Sequence, residues 1–423
     1  MFRRSVALPG VATYLALRVV LLGWLAWQAR LSGVPFLASL VKSDGQHYLT
    51  IARDGYRPLP PWPAAGQPKP DLPNLVFFPG YPMLVRAVHR MLAPWQVPVD
   101  IAAIGVSMLA GAVAAGFIAS WAARRAGKPT AVVLVGLWAL WPASVVLSMA
   151  YSEALFVLAA AVALWAIDRR HWVTAALAAA AAGSIRPVAA GVIAAVVLAI
   201  GVYLARRAPS PLPATRHTKG RRHLAPPTGR LRLAVRMVVT LPVLALVSCL
   251  GLVLTMDHIA QFTGRWDGWL WLERTWWNSG SDGGRTSWAA VTLHTVLPHR
   301  LGIVVAGTIV AAVVCSIWAL VRYRLVGWPA VIYIACCLVM GLSGRNYELS
   351  KPRFLLVAFP MLLPPAQLLV ILWRCAVLDG RRVLARWVLR GPLRLVLLAT
   401  ASAAVAASVN WQVWTVLQKG RSI

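Results

Sequence analysis

The chain has 423 residues, of which 59% are hydrophobic and only 13% are charged. A soluble fold of this length does not hide so much apolar surface, so long segments must face lipid. The 42 Lys and Arg residues outnumber the 12 Asp and Glu residues, but they flank apolar runs, and no RNA- or DNA-binding motif accompanies them. The composition therefore predicts a membrane protein that contacts lipids, and it argues against nucleic acid as a partner.

Apolar runs of suitable length predict an all-α polytopic protein with about 11 transmembrane helices. Helices are expected because backbone groups in hydrocarbon must form their hydrogen bonds within the segment. The predicted spans are 10–29, 99–122, 129–148, 153–167, 172–185, 187–205, 237–256, 301–321, 327–343, 354–373 and 395–414. The first run is too long for a signal peptide, so we expect an uncleaved span. Its internal charge, Arg18, is expected to extend toward the interface.

The distribution of charge predicts the orientation in a plasma membrane. If the N-terminus is cytoplasmic, the basic loops fall inside, and only Asp168 and Asp379 of the acids fall there with them. The C-terminus and the long acidic loops then lie outside. The predicted organisation is an N-terminal half with a first outer loop, a basic cytoplasmic linker, and a C-terminal half with a Trp-rich outer loop: 1–205 with 31–98, 206–236, and 237–423 with 257–300.

The five cysteines and the scarce acids give little sign of a cofactor. No CxxC pair occurs, so neither a disulfide framework nor a thiolate metal site is indicated. The chain also has no Walker A motif and no dinucleotide fingerprint. We therefore expect no metal and no certain cofactor, and we leave a divalent cation open.

The stretch "KSDGQHYLTIARDGY" at 42–56 follows the first span and carries an acid and a histidine three residues apart. On a helix, Asp44 and His47 would share one face. By spacing alone, Ser43 or Asp44 could equally cap a helix that begins near Gly45. A metal site is less well supported, because no further ligand cluster lies nearby in the sequence.

Two other outer segments have recognisable patterns. The apolar residues of "FFPGYPMLVRAVHRML" recur at helical spacing, and the piece is too short and charged to span, so we expect an interfacial helix. Five tryptophans lie between 266 and 277. They fit an interfacial belt, with stacking on a sugar as the alternative.

These motifs resemble the PIG-V family (GPI mannosyltransferase 2-like), the enzymes that add the second mannose of GPI anchors, together with their bacterial relatives. The resemblance rests on "SDGQHYLTIARDGY" followed by "FFPGYPMLVR", and then in order on "AYSEALF", "GSIRPVAAG" and "KPRFLLVAFP". It extends over about residues 10–375. Ser43 is a departure, because many members carry an aromatic residue before the Asp.

The resemblance implies a GT-C glycosyltransferase, a class that uses a polyprenyl-phosphate sugar donor and has an extracytoplasmic active site. It implies that the catalytic motif contains Asp44, as the base for the acceptor hydroxyl, and His47. Four cations near outer span ends are candidates for the donor phosphate: Arg353, Arg186, Lys351 and Arg345. Acceptor-binding or structural candidates are Glu153, Tyr81 and Asp267.

The expected function is transfer of mannose from a polyprenyl-phosphate donor to an extracytoplasmic glycan, lipoglycan or protein acceptor. The Ala, Arg and Trp content is typical of a high-GC bacterium, which makes a GPI anchor an unsuitable acceptor. The alternatives are a GT-C enzyme that transfers another sugar, and a lipid-linked sugar flippase or other transporter. A transporter would be indicated by ionisable residues in mid-span or by broken helices.

Overall fold

The computed structural model describes residues 4–60, 72–206, 228–292, 299–377 and 387–417. Within these ranges the chain forms eighteen α-helices and no strand, apart from one isolated bridge between Ser281 and Gly344. The helices are α1 Arg4–Leu31, α2 Phe36–Ser39, α3 Asp44–Asp54, α4 Gly80–Met91, α5 Val99–Ala126, α6 Lys128–Ala139, α7 Glu153–Arg169, α8 Trp172–Gly183, α9 Ala190–Ala205, α10 Thr228–Thr263, α11 Gly268–Thr275, α12 Arg285–Thr292, α13 His299–Val321, α14 Tyr323–Val326, α15 Trp328–Ser343, α16 Lys351–Leu356, α17 Leu363–Val377 and α18 Trp387–Leu417.

Long apolar helices place the protein in a membrane. Four segments in the described ranges are long and apolar enough to cross it: Val6–Leu31, Val99–Ala126, Val239–Thr263 and Leu301–Val321. A fifth is possible if the pair Glu348–Leu356 and Phe359–Cys375, bent by 77°, counts as one span. The all-α prediction is confirmed for the described residues, whereas the count of about 11 spans is not.

Breaks in the backbone explain much of the difference. The predicted span 129–148 contains α6, which ends at Ala139 before Trp141 and Pro142, and then a 3-10 helix at Ser144–Ser148. Twelve residues of α-helix extend roughly 18 Å, well short of a hydrocarbon layer of about 30 Å. Hydropathy averaged over a segment does not detect such a break, because the residues on both sides are apolar.

Arg18 is a structural residue of this broken region. The guanidinium is buried, and it donates to the Ser144 carbonyl oxygen at 2.6 Å, to Ser144 Oγ at 3.0 Å and to the Ala139 carbonyl oxygen. It therefore satisfies carbonyls that the end of α6 leaves unpaired. The expectation that Arg18 extends to the interface is wrong, because these acceptors lie inside the protein.

The two halves of the chain pack directly on each other. Helix α8 lies against α10, and α9 against α15. The α8–α10 contact depends on glycine, since a Cβ at Gly251 would overlap the Ala180 carbonyl, and one at Gly183 would meet the backbone of Leu252. Most of the predicted 206–236 linker, residues 207–227, lies outside the described residues.

A small second core forms where α3, α4 and α11 meet. It contains Tyr48, Phe77 and Tyr81 together with Leu272 and Trp276. Helix α4 is the predicted interfacial helix, and it packs on α3 and α5. Its Arg86 donates to the carbonyls of residues 51 and 52 at the end of α3, both at 2.8 Å. This packing fixes α3 and its first residue, Asp44.

Candidate active site

One cavity of about 470 Å³ lies beside this second core. Its walls come from the start of α3, α11, the turn between α8 and α9, and the segment from α15 to α16. The cavity lining includes these residues: Asp44, His47, Phe77, Arg186, Trp269, Glu273, Trp277, Ser279, Arg345, Tyr347, Lys351, Arg353 and Phe354. The sequence motifs of both halves of the chain therefore meet at one site.

Asp44 begins α3 and forms an ion pair across the cavity wall. Its Oδ2 accepts a hydrogen bond from Arg353 at 2.6 Å, and its side chain is 22% exposed. Ser43 occupies the N-cap position with φ at 54° but makes no capping hydrogen bond through its side chain. The capping interpretation of Ser43 and Asp44 is therefore not supported, since the carboxylate is bound by Arg353.

Glu153 is completely buried between two arginines. Its Oε1 accepts from Arg186 at 2.7 Å and lies 3.4 Å from Arg353 Nε. Arg186 also donates to Ser152 Oγ at 3.0 Å, and Ser152 Oγ lies 2.8 Å from the Tyr48 hydroxyl. The chain of contacts joins α3, α7 and α16 to the loop before α9. Glu153 thus positions two arginines and is too deeply buried to touch an acceptor.

The four candidate phosphate ligands all line the cavity, but they differ in the partners that they already contact. Arg353 and Arg186 already have carboxylate partners. Lys351 is buried and donates to the Gly344 carbonyl at 2.7 Å. Arg345 is exposed, and within the described ranges it forms no salt bridge. Arg345 is therefore the cation best placed to meet an incoming anion without displacing a carboxylate.

An aromatic wall faces these cations. His47 stacks on Phe77 at 4.9 Å between ring centroids, and Trp277 meets the His47 ring edge-on at 5.3 Å. The Trp277 indole N–H donates to the Pro73 carbonyl at 3.2 Å, and the backbone carbonyl of Trp277 accepts from the Tyr347 hydroxyl at 2.7 Å. These bonds fix the ring orientation, so the wall is preformed.

The five tryptophans do not act as one belt. Trp269 and Trp277 line the cavity, and Trp276 is buried in the second core. Trp266 is 91% exposed. The two interpretations of the Trp-rich loop therefore apply to different residues, with Trp266 suited to the interface and Trp277 to a ligand.

Glu273 is the acid of the site that the motifs missed. It lies on α11 and lines the cavity with Asp44. Burial and, to a smaller extent, the negative field of Asp44 raise the pKa of Glu273 to about 7, against the lowering effect of a hydrogen bond with Ser279. In the described part of the chain it has no salt bridge. A single acid in an aromatic loop has no local pattern that would identify it.

Two predicted candidates lie away from the cavity lining. Tyr81 is buried in the second core, where its hydroxyl donates to the Ala103 carbonyl at 3.0 Å and lies 2.9 Å from Ser107 Oγ. Asp267 precedes α11 and accepts from Arg265 at 2.9 Å. Tyr81 therefore has a packing role, and Asp267 is not placed to bind an acceptor in this cavity.

The Gly-rich segment before α12 is an ordered helix cap. Asp282 accepts from the backbone N–H of Gly284 at 2.8 Å and of Thr286 at 2.9 Å. Asp282 N–H in turn donates to the Ser343 carbonyl at 2.9 Å. The segment thus attaches the Trp-rich loop to the end of α15.

The described residues contain no group of three or more His, Cys, Asp or Glu that could hold a metal ion. Comparisons of the chain with protein-family models, with curated proteins and with solved structures give no match. The resemblance to the PIG-V family therefore rests on the quoted motifs, and all five of them contribute residues to one site: Asp44, Phe77, Glu153, Arg186 and Arg353.

Proposed function

We propose that the protein is a mannosyltransferase that uses a polyprenyl-phosphate donor and acts on an extracytoplasmic glycan, lipoglycan or protein. The observation that carries the proposal is the pair of Asp44 and Arg353, which lie 309 residues apart in the chain and 2.6 Å apart at the cavity. In such a reaction the base and the phosphate-binding cation must both lie within reach of one carbon, because the bond that forms and the bond that breaks share it.

In the proposed reaction, an acceptor hydroxyl attacks C1 of the mannose while its proton passes to the Asp44 carboxylate. The C1–O bond to the lipid phosphate breaks, and the polyprenyl phosphate leaves with the bonding electrons. Arg345 and Arg353 stabilise the developing negative charge. Glu153 holds Arg353 and Arg186 in place, and the Arg353 contact orients the Asp44 carboxylate.

A lipid-linked sugar flippase is the second candidate. The bend of 77° between Glu348–Leu356 and Phe359–Cys375 is a broken helix at the cavity, and broken helices are typical of secondary transporters. The buried guanidinium of Arg18 does not favour transport, since protein carbonyls and Ser144 bind it. Transfer is favoured because the side chain of Asp44 lines the cavity and is 22% exposed, where an acceptor hydroxyl can reach its carboxylate.

The test uses Asp44→Asn with purified protein in lipid nanodiscs, labelled polyprenyl-phosphate mannose and a bacterial membrane extract. Asn keeps an oxygen that can accept from Arg353 but cannot take the proton, so turnover should fall by roughly 10²–10⁴. Asp54→Asn is the matched control, because Asp54 ends the same helix and is 61% exposed.

Three outcomes distinguish the candidates. Label in a new product that depends on Asp44 supports the transferase. Label that crosses the bilayer of a sealed vesicle while it stays on the polyprenyl phosphate supports the flippase. Normal transfer by a folded Asp44→Asn protein would remove Asp44 from the catalytic role.

A further inference from the structure

The cavity has two chemically different sides. Arg186, Arg345, Lys351 and Arg353 supply the cationic side. Glu273 lines the cavity together with an aromatic group in which His47 contacts both Phe77 and Trp277. The carboxylate of Asp44 interacts with both, because it binds Arg353 directly and its field also reaches Glu273.

The absence of a counter-ion distinguishes Glu273 from the other two acids of the site. Asp44 and Glu153 are each held by an arginine, whereas Glu273 forms no salt bridge with any described residue. A phosphate next to an ionised, unpaired carboxylate is repelled. The group that binds at Glu273 is therefore not an anion, and it must offer hydrogen-bond donors to a partly buried carboxylate.

A sugar meets both requirements of this wall. Its hydroxyls donate to a carboxylate, and its apolar C–H face packs on an indole. We propose that Glu273 and Trp277 form the acceptor subsite, which binds a neutral glycan end with Glu273 accepting hydrogen bonds from two of its hydroxyls. This inference deepens the proposed function, and it adds that the acceptor is a hexose-terminated glycan or lipoglycan rather than an unglycosylated protein.

The subsite should respond to pH through Glu273. Its pKa is about 7, so roughly one-tenth of the carboxylate is ionised at pH 6 and nine-tenths at pH 8. The ionised form is the stronger acceptor, so sugar affinity should be roughly tenfold lower at pH 6 than at pH 8. The charged or titratable groups that share the cavity lining with Glu273 include Asp44, His47, Tyr48, Tyr347, Arg186, Arg345, Lys351 and Arg353.

The probe is methyl α-D-mannopyranoside, with its dissociation constant measured by saturation-transfer NMR on protein in nanodiscs. Glycoside detergents must be avoided because they would compete for the subsite. Glu273→Gln should weaken binding by about tenfold or more, as expected for loss of a charge-assisted hydrogen bond, and should abolish the dependence on pH between 6 and 8. A pH dependence that persists in this variant would contradict the assignment of the titrating group to Glu273.

Asp267→Asn is the matched control, an acid of the same loop outside the cavity lining, and it should bind the probe normally. In the transfer assay, Glu273→Gln should raise the acceptor KM and leave the donor KM unchanged. Wild-type affinity for the probe in Glu273→Gln, or no binding by the wild-type protein, overturns the subsite. Binding that depends on Glu273 without any transfer overturns the proposed reaction and leaves the subsite standing.

Discussion

Replacement of Glu153 by Gln tests the buried charge network. Glu153 is 0% exposed, and its Oε1 lies 2.7 Å from an Arg186 nitrogen and 3.4 Å from Arg353 Nε. At an effective dielectric constant of about 20, these contacts are worth roughly 6 and 5 kcal/mol before desolvation. Desolvation offsets much of that, and removal of one partner from a buried pair costs about 3–5 kcal/mol.

We expect Glu153→Gln to lie near the lower end of this range, because the amide oxygen can still accept from Arg186. A loss of about 3 kcal/mol in a chain of 423 residues corresponds to a fall of roughly 3–4 °C in Tm. Thermal unfolding in nanodiscs, followed by intrinsic tryptophan fluorescence, measures it. The acceptor KM should stay unchanged, since a fully buried side chain does not touch the acceptor.

Asp168→Asn is the control for this experiment. Asp168 also forms a mostly buried ion pair, with Arg125, but it lies at the opposite end of α7, roughly 22 Å from Glu153 along the helix. It should lower Tm without changing transfer, whereas Glu153→Gln should lower both Tm and kcat. A Glu153→Gln protein with wild-type Tm and kcat would refute the network, and a raised acceptor KM at wild-type Tm would return Glu153 to acceptor binding.

Three further predictions concern other parts of the site. Arg353→Lys keeps the charge but loses the planar fork, so the donor KM should rise about tenfold or more; an unchanged donor KM would exclude phosphate binding by Arg353. In a cysteine-free background, an impermeant thiol reagent on intact cells should label Cys placed at Ser281 but not at Ser210, and the opposite pattern would move Asp44 to the cytoplasm. Asp282→Ala should lower Tm by the equivalent of about 1 kcal/mol through loss of the α12 cap. Partial burial acts to raise the pKa of Asp282, but hydrogen bonds from Thr286 and Gly284 lower it below its usual value. The contribution of this cap to stability is therefore present above about pH 4 and is lost as the pH falls through the lowered pKa.

Composition and hydropathy predict the parts of the fold that depend on continuous apolar sequence. The predicted spans 10–29, 99–122 and 301–321 correspond to long helices of the structure. The same method joins α6 to the 3-10 helix at Ser144–Ser148, because an average of hydropathy does not register the turn at Pro142 or the hydrogen bonds that Arg18 makes there. A break in a helix is a property of the backbone, and hydropathy averaged over residues does not detect it.

The site residues that belong to local sequence motifs could be predicted. Asp44, Arg186 and Arg353 belong to three separate motifs, and the cavity contains all three. The pairing of Asp44 with Arg353, and of Glu153 with both arginines, could not be predicted because each contact joins residues distant in the chain. Glu273 could not be predicted for a different reason, since only the burial of α11 against the site distinguishes it from other acids in the outer loops.

Charge balance connects these residues to the substrate. Four cations and two carboxylates line the cavity, Arg186, Arg345, Lys351 and Arg353 with Asp44 and Glu273, and the buried carboxylate of Glu153 contacts two of these arginines. With Glu273 ionised, the site has one positive charge in excess, which matches the single negative charge of a polyprenyl phosphodiester. In the proposed transfer, a proton moves onto Asp44 and the leaving group is a phosphate monoester of higher negative charge, so both products change the balance together. For the next turnover the lipid phosphate must leave and Asp44, whose side chain is 22% exposed, must return its proton to solvent, which restores the single excess positive charge that a new donor would meet.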